Sequence, residues 1–139
     1  MPYDPVLVQP MREELTRIGI IELTTADEVD AFMAKSGTKL LIVNSVCGCA
    51  AGQARPGVAL ALQHTKKPDH VGTVFAGQDT EATEKARSYF ADYPPSSPSL
   101  ALLRDADLVY FMPRHAIEGA PAQQVAFELV TAFDEHCGD

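Results

Sequence analysis

Two cysteines flank a single glycine in the stretch VNSVCGCAAGQARPG, residues 43–57. A deprotonated cysteine is both a nucleophile and a soft-metal ligand. The pair could therefore be a disulfide, half of a metal site, or an attacking thiolate with its partner. An apolar run precedes the pair and a helix-like stretch follows it, which puts Cys47 at a helix N-terminus. Unpaired backbone N–H groups and the helix dipole favour an anion there, so Cys47 is the candidate attacking thiolate. Its attack on a disulfide leaves a mixed disulfide, and Cys49 is the nearest thiol that can resolve it. Gly48, lacking a Cβ, is expected to supply the bend that brings the two sulfurs together. A bond between positions i and i+2 has less conformational freedom than one in a Cys-x-x-Cys pair, so it should be comparatively oxidising. Two schemes follow. Either Cys47 takes a small thiol from a substrate and waits for an outside reductant, or Cys49 expels that thiol by closing the strained ring.

Zinc or Cu(I) binding is the rival use, with Cys137 or a histidine completing the ligand set. No second paired cluster exists, however, and His64, His70, His115 and His136 lack ligand spacing. No metal site is assigned on these grounds. Cys137 lies four residues after Phe133, on the apolar stripe of the last helix. It is either a partly buried cysteine without redox function or a second resolving thiol, and spacing does not choose between them.

Composition narrows the setting. The 139 residues fit a single domain, 1–139, and 46% hydrophobic content is that of a globular chain. A net charge of −8 argues against nucleic acid or an anionic membrane as partner. The start, MPYDPVLVQP, has neither the basic nor the apolar region of a secretory signal, and no apolar run approaches the ~20 residues of a membrane span. A cytoplasmic location is expected, where three cysteines point to catalysis or metal binding more than to structural bridges. No glycine-rich dinucleotide turn follows a strand, so no bound cofactor is expected and electrons should arrive from another thiol.

The elements that must position these thiols follow from periodicity. Pro10 suits a first helical position, with Met11, Leu15 and Ile18 on one face and Gly19 as the cap. IIEL (20–23) reads as a short strand, and Thr25 to Glu28 form a capping box that opens a helix with Val29, Phe32 and Met33 inward. The continuous apolar run within TKLLIVNS (38–45) predicts a central strand covered on both faces. An Ala-rich helix should then run to about His64, bent where Pro56 removes a hydrogen bond. HVGTVFAG (70–77) is the next strand, followed by a helix capped by Asp79. The proline loop YPPSSPS (93–99) leads into the strands LALLR and DLVYFM, a hairpin turning at Asp105 and Ala106. Pro121 starts a last helix with Ala122, Val125, Ala126, Leu129, Val130 and Phe133 on one stripe. Parallel βαβ units followed by an antiparallel hairpin and a closing helix predict a thioredoxin-like α/β fold, a mixed sheet flanked by helices. In that arrangement Cys47 lies at the end of the central strand and the loop with Ser97 and Pro98 lies beside it.

Further residues could contribute to binding. Arg55, beyond Cys47 on the same helix, could meet an anionic ligand or be solvated. Asn44 and Ser45 could orient the loop or satisfy backbone groups. Pro98 could be cis and present adjacent backbone to a thiol ligand, against the ordinary trans expectation. In RHAIEG, His115 and Glu118 could transfer protons or belong to a polar loop.

Several blocks, VNSVCGCAAGQARP, TVFAGQDTEATEKARSYF, PPSSPSLALL, RHAIEG and the terminal FDEHC, resemble the bacilliredoxin family, with further likeness in MREELTRIGIIELTTADEV. The likeness covers nearly the whole chain. It implies removal of bacillithiol, a low-molecular-weight thiol, from cysteines of oxidised cytosolic proteins, with disulfide isomerase activity as a related use of the same chemistry. Carried over, Cys47 receives bacillithiol as a mixed disulfide, Cys49 is the candidate resolving thiol, and the SSPS loop carrying Ser97 and Pro98 faces the thiols. Partners would be bacillithiolated client proteins and an external thiol or thiol reductase. Gly57, where the family often has a compact residue, should loosen the helix beside Pro56. The rival functions are a general protein disulfide reductase or isomerase and a thiol-based metal carrier without turnover.

Overall fold

The computed structural model describes residues 2–138, and its sheet is built around the apolar run at 38–44. Strand β2 (Thr38–Asn44) is buried at every position. Its neighbours are parallel β3 (His70–Phe75) and antiparallel β4 (Ser99–Arg104). Short β1 (Ile21–Glu22) runs parallel to β3 at one edge, and β5 (Asp107–Met112) pairs antiparallel with β4 at the other. The order is thus β1-β3-β2-β4-β5, a mixed five-stranded sheet.

Alternation along β2 divides the core. Leu40 and Ile42 face a cluster with Leu15, Val58, Val125, Leu129 and Phe133, from α1 (Pro5–Thr16), α3 (Arg55–Ala61) and α6 (Ala122–His136). Leu41 and Val43 face Val29, Phe32, Ala82 and Ala86, from α2 (Ala26–Met33) and α4 (Thr80–Ser88). Each of these four strand side chains is wholly excluded from water, worth about 1.5–3 kcal/mol apiece. A strand anchored on both faces makes a fixed platform for whatever follows its last residue.

The local signals are realised with instructive departures. The Thr25 hydroxyl accepts from the Glu28 N–H at 3.1 Å, and the Glu28 carboxylate accepts from the Thr24 N–H at 2.7 Å, one residue earlier than a strict capping box. α1 begins at Pro5, not Pro10, because the Asp4 carboxylate caps the Val6 N–H; Pro10 lies inside the helix. Asp79 stands at the N-cap of α4, but its carboxylate accepts from both Arg12 terminal nitrogens, at 2.8 and 3.1 Å, and caps nothing. RHAIE is a short helix, α5 (Arg114–Glu118), because Ile117 packs into the core. The single charged residue of the buried strand, Lys39, donates its ammonium to the carbonyls of Met33 and Lys35, closing the end of α2.

Pro56 bends its helix in a specific way. The chain turns helically from Gly48, widens into a π-helical turn over Ala50–Ala54, and continues as α3. The Arg55 N–H reaches back to the Ala50 carbonyl, five residues away. Proline has no N–H for the carbonyl four residues before it and its ring crowds that carbonyl, so a wider turn is the local solution. Gly57 has a packing reason beside its backbone freedom. A Cβ there would stand 2.6 Å from Val125 Cγ1 and 3.2 Å from the Ala122 carbonyl, so the glycine is what lets α3 touch α6. Gly57→Ala is therefore expected to cost about 1–3 kcal/mol through overpacking, read as a lower urea midpoint. An unchanged midpoint would contradict this close approach.

Candidate active site

The central strand ends at Asn44, and a buried guanidinium organises the turn that follows. Arg55, only 3% exposed, donates from Nη1 to Asn44 Oδ1 and to the Ser45 carbonyl, both at 2.9 Å. Its Nε donates to Glu14 Oε1 at 3.1 Å, which ties α1 to the turn. Asn44 Oδ1 also accepts from the Ser45 N–H at 2.9 Å, and Asn44 Nδ2 donates to the Met11 carbonyl at 3.3 Å. Arg55 and Asn44 are thus neither solvated nor presented to a ligand. They hold the active loop from beneath.

The cysteines sit on this base. The Cys47 N–H donates to Ser45 Oγ at 3.2 Å, and the Cys47 carbonyl accepts from the Ala50 N–H at 2.9 Å. The two sulfurs lie 2.7 Å apart as free thiols, and the Cys49 N–H points at Cys47 Sγ at 3.4 Å. Cys47 is half-buried, whereas Cys49 is 8% exposed. This asymmetry sets their protonation. The hydrogen bond from the Cys49 thiol is the largest influence holding the Cys47 thiol below its ordinary range; the Cys49 N–H, the charge of Arg114 and the Ala50 N–H add to it. Burial, then the Cys47 sulfur itself, pushes Cys49 upward. One thiolate and one thiol are therefore the favoured pair, with the accessible sulfur carrying the charge.

Gly48 does not have the steric necessity its position suggests. It is exposed, its φ is not positive, and a Cβ there would meet nothing within 4 Å. The Ser97–Pro98 peptide is cis, with Pro98 buried and half-buried Ser97 lining the same cavity as Cys47. His115 is exposed, and the Glu118 carboxylate is taken by Arg114 Nε at 3.2 Å.

Cys137 lies elsewhere. It caps the end of α6, its N–H bonded to the Phe133 carbonyl at 2.8 Å, and it is 3% exposed. Its surroundings are Thr38, Asp69 and Arg104, at the opposite end of β2 from Asn44. Seven residues of strand span about 20 Å, so Cys137 cannot reach either sulfur of the pair within one chain. Burial raises its thiol above the ordinary range. Among the described residues no three His, Cys, Asp or Glu side chains form a group that could hold a metal ion, and no helix is long and apolar enough to cross a membrane.

Arg114 is the functional side chain that sequence spacing missed. It opens α5, far along the chain from Cys47, and its N–H donates to Ser96 Oγ at 3.3 Å beside the cis-proline. No local pattern links it to the thiols. Only the packing of α5 at the strand end does.

Comparison with known proteins completes the identification. A family profile described as "Disulphide isomerase" matches residues 3–137. A bacilliredoxin of Cytophaga hutchinsonii is 54% identical over 133 residues, spanning 96% of this chain and 98% of that protein. A bacilliredoxin of Geobacillus kaustophilus is 56% identical over 138 residues, spanning 98% and 95% respectively. This chain belongs to the bacilliredoxin family. Thioredoxin of Fasciola hepatica superposes with a TM-score of 0.58 at 17% identity, covering 84% of this chain and 99% of that one. Mitochondrial thioredoxin 3 of Saccharomyces cerevisiae gives 0.57 at 15% identity, covering 88% and 98%. The fold is thioredoxin-like, and the bacilliredoxin relatives make the chain a thiol-disulfide oxidoreductase.

The protonation asymmetry predicts an order of alkylation. Iodoacetamide at neutral pH modifies Cys47 first, Cys49 more slowly, and Cys137 only after unfolding, as peptide mass mapping would read. Labelling slows as pH falls through the lowered Cys47 pKa, because the thiolate is the reacting species. Cys49→Ala removes the principal hydrogen bond to that thiolate and moves the pH midpoint of Cys47 labelling upward. Native-state labelling of Cys137 as fast as Cys47 would contradict the placement of both.

Proposed function

We propose that this bacilliredoxin-family protein removes bacillithiol from mixed disulfides on oxidised cytoplasmic proteins. The observation that carries the reading is the pairing of a half-exposed, thiolate-favouring Cys47 with a buried, proton-holding Cys49. The Cys47 thiolate attacks the sulfur of bacillithiol in the client mixed disulfide. A new bond from Cys47 to bacillithiol forms, the client's bond to it breaks, and the client cysteine leaves as thiolate.

Two routes regenerate the protein. An external thiolate attacks the bacillithiol sulfur, releasing Cys47 as thiolate and carrying bacillithiol away in a new disulfide. Alternatively Cys49, after losing its proton to solvent, attacks Cys47 and expels bacillithiol as thiolate. The resulting Cys47–Cys49 disulfide then needs two electrons from a thiol reductase. Once Cys47 is bonded to bacillithiol its charge is gone, and burial is what still holds the Cys49 proton, which slows the second route at neutral pH and favours direct release by an outside thiol.

Acting as a general protein disulfide reductase or isomerase is the second reading, favoured by the description of the matching family and by the same exchange chemistry. Intact mass separates the two. Reduced protein mixed with a bacillithiolated client should gain the adduct on Cys47, and Cys47→Ser should abolish the gain. With Cys49→Ala the transfer should survive, more slowly at neutral pH, and the adduct should persist until a small thiol is added. No transfer, from a protein that still reshuffles scrambled disulfides, would replace this reading with the second.

A further inference from the structure

Beside Cys47 lies a cavity of about 460 Å³, within the size range of small-molecule sites. Ser45, Ser97 and Tyr3 line it together with Arg87 and Arg114, and among the described residues no carboxylate does. In a chain of net charge −8, two arginines face this cavity, and the carboxylate that pairs with Arg114, Glu118, stands outside its lining.

Arg87 stands apart from the other arginines at this end of the molecule. Arg12 binds the carboxylates of Asp79 and Glu22, and Arg55 binds that of Glu14. Arg87 makes no ion pair among the described residues. Its Nη2 donates to the Ser96 carbonyl at 3.2 Å, and its buried Nε has no hydrogen-bond partner there. Arg87 lines the cavity, so its guanidinium enters it without a carboxylate partner. Arg114 is held to the same residue, through its N–H and Ser96 Oγ, and among the described residues its guanidinium is engaged only by exposed Glu118. An exposed pair of this kind is worth little and yields readily to a ligand. Ser96 therefore ties the Arg87 guanidinium and the Arg114 backbone to the cis-proline loop.

We propose that Arg87 and Arg114 form a carboxylate-binding subsite beside Cys47 that selects low-molecular-weight thiols carrying negative charge. This rests on the reading of Cys47 as the attacking thiolate. The subsite holds the small thiol by its acidic groups while its sulfur is bonded to Cys47, and a folded client meets only the cavity mouth. Guanidinium groups suit this task because their planar donors match a carboxylate in pairs.

The test is the rate at which the reduced protein forms a mixed disulfide on Cys47, followed by intact mass, with three small disulfides. Glutathione disulfide is anionic, hydroxyethyl disulfide neutral and cystamine cationic. Taking the ratio of the anionic to the neutral rate in each protein cancels any change in thiolate fraction. Arg87→Gln and Arg114→Gln should each lower that ratio about tenfold and raise the cystamine-to-neutral ratio. Lys85→Gln, an equal charge change in α4 at a residue paired with Asp30, should leave both ratios in place. In the unaltered protein the anionic preference should shrink as salt is raised. Ratios unmoved by either arginine change, or lowered as much by Lys85→Gln, would overturn the subsite while leaving thiol exchange at Cys47 intact. Absence of both an adduct and a Cys47–Cys49 disulfide, even with the neutral disulfide, would overturn the parent reading, and the subsite with it.

Discussion

The guanidinium of Arg55 is the interaction on which the site depends. It lies beneath the turn after the central strand and joins α1, through Glu14, to Asn44 and the Ser45 carbonyl. Ser45 then accepts the Cys47 N–H, so the position of the attacking sulfur is inherited from a buried charge. Burying a charge is costly unless it is paired and hydrogen-bonded. Here both conditions are met, and the donors are spent on the turn that carries the thiols. The π turn that Pro56 imposes places Arg55 at the junction with α3, where its side chain reaches that turn.

The sulfur pair shows how a two-residue spacing can divide labour. Both cysteines share one turn, yet one is half-open and the other faces the interior. The buried thiol keeps its proton because ionising it there would require desolvating a second negative charge next to the first. That proton stabilises the open thiolate. Burial, which persists after Cys47 has entered a mixed disulfide, makes Cys49 a slow second nucleophile. Cys137 takes no part in this division, since a whole strand length separates it from the pair.

Much of the fold was legible in local pattern. The run from Leu40 to Val43, the Thr25 cap, the turn at Asp105 and the stripe of α6 are each encoded within a few residues, and each forms as periodicity and capping require. Cys47 and Cys49 were legible for the same reason: their chemistry lies in their own spacing. What stayed hidden depends on contacts between distant segments. The Asp79 carboxylate looks like a free cap until Arg12 is packed against it. Arg55 looks like a solvated helix residue until Glu14 and Asn44 close around it. Gly57 reads as a flexible position until α6 is laid across it, and Gly48 reads as a steric need until its surroundings prove open. Arg87 and Arg114 line one cavity and each bonds Ser96, a placement no spacing rule foresees.

The measurement that bears most directly on the division of labour is an NMR titration of the reduced protein with ¹³C at the cysteine Cβ atoms. The geometry predicts that Cys47 ionises first, at a pH below the ordinary thiol range of about 8.5, and that Cys49 ionises above it. Cys49→Ala should move the Cys47 midpoint up. If Cys49 lost its proton first, or if both sulfurs titrated together at the ordinary value, Cys47 would not be the activated thiolate and the proposed chemistry would lose its basis.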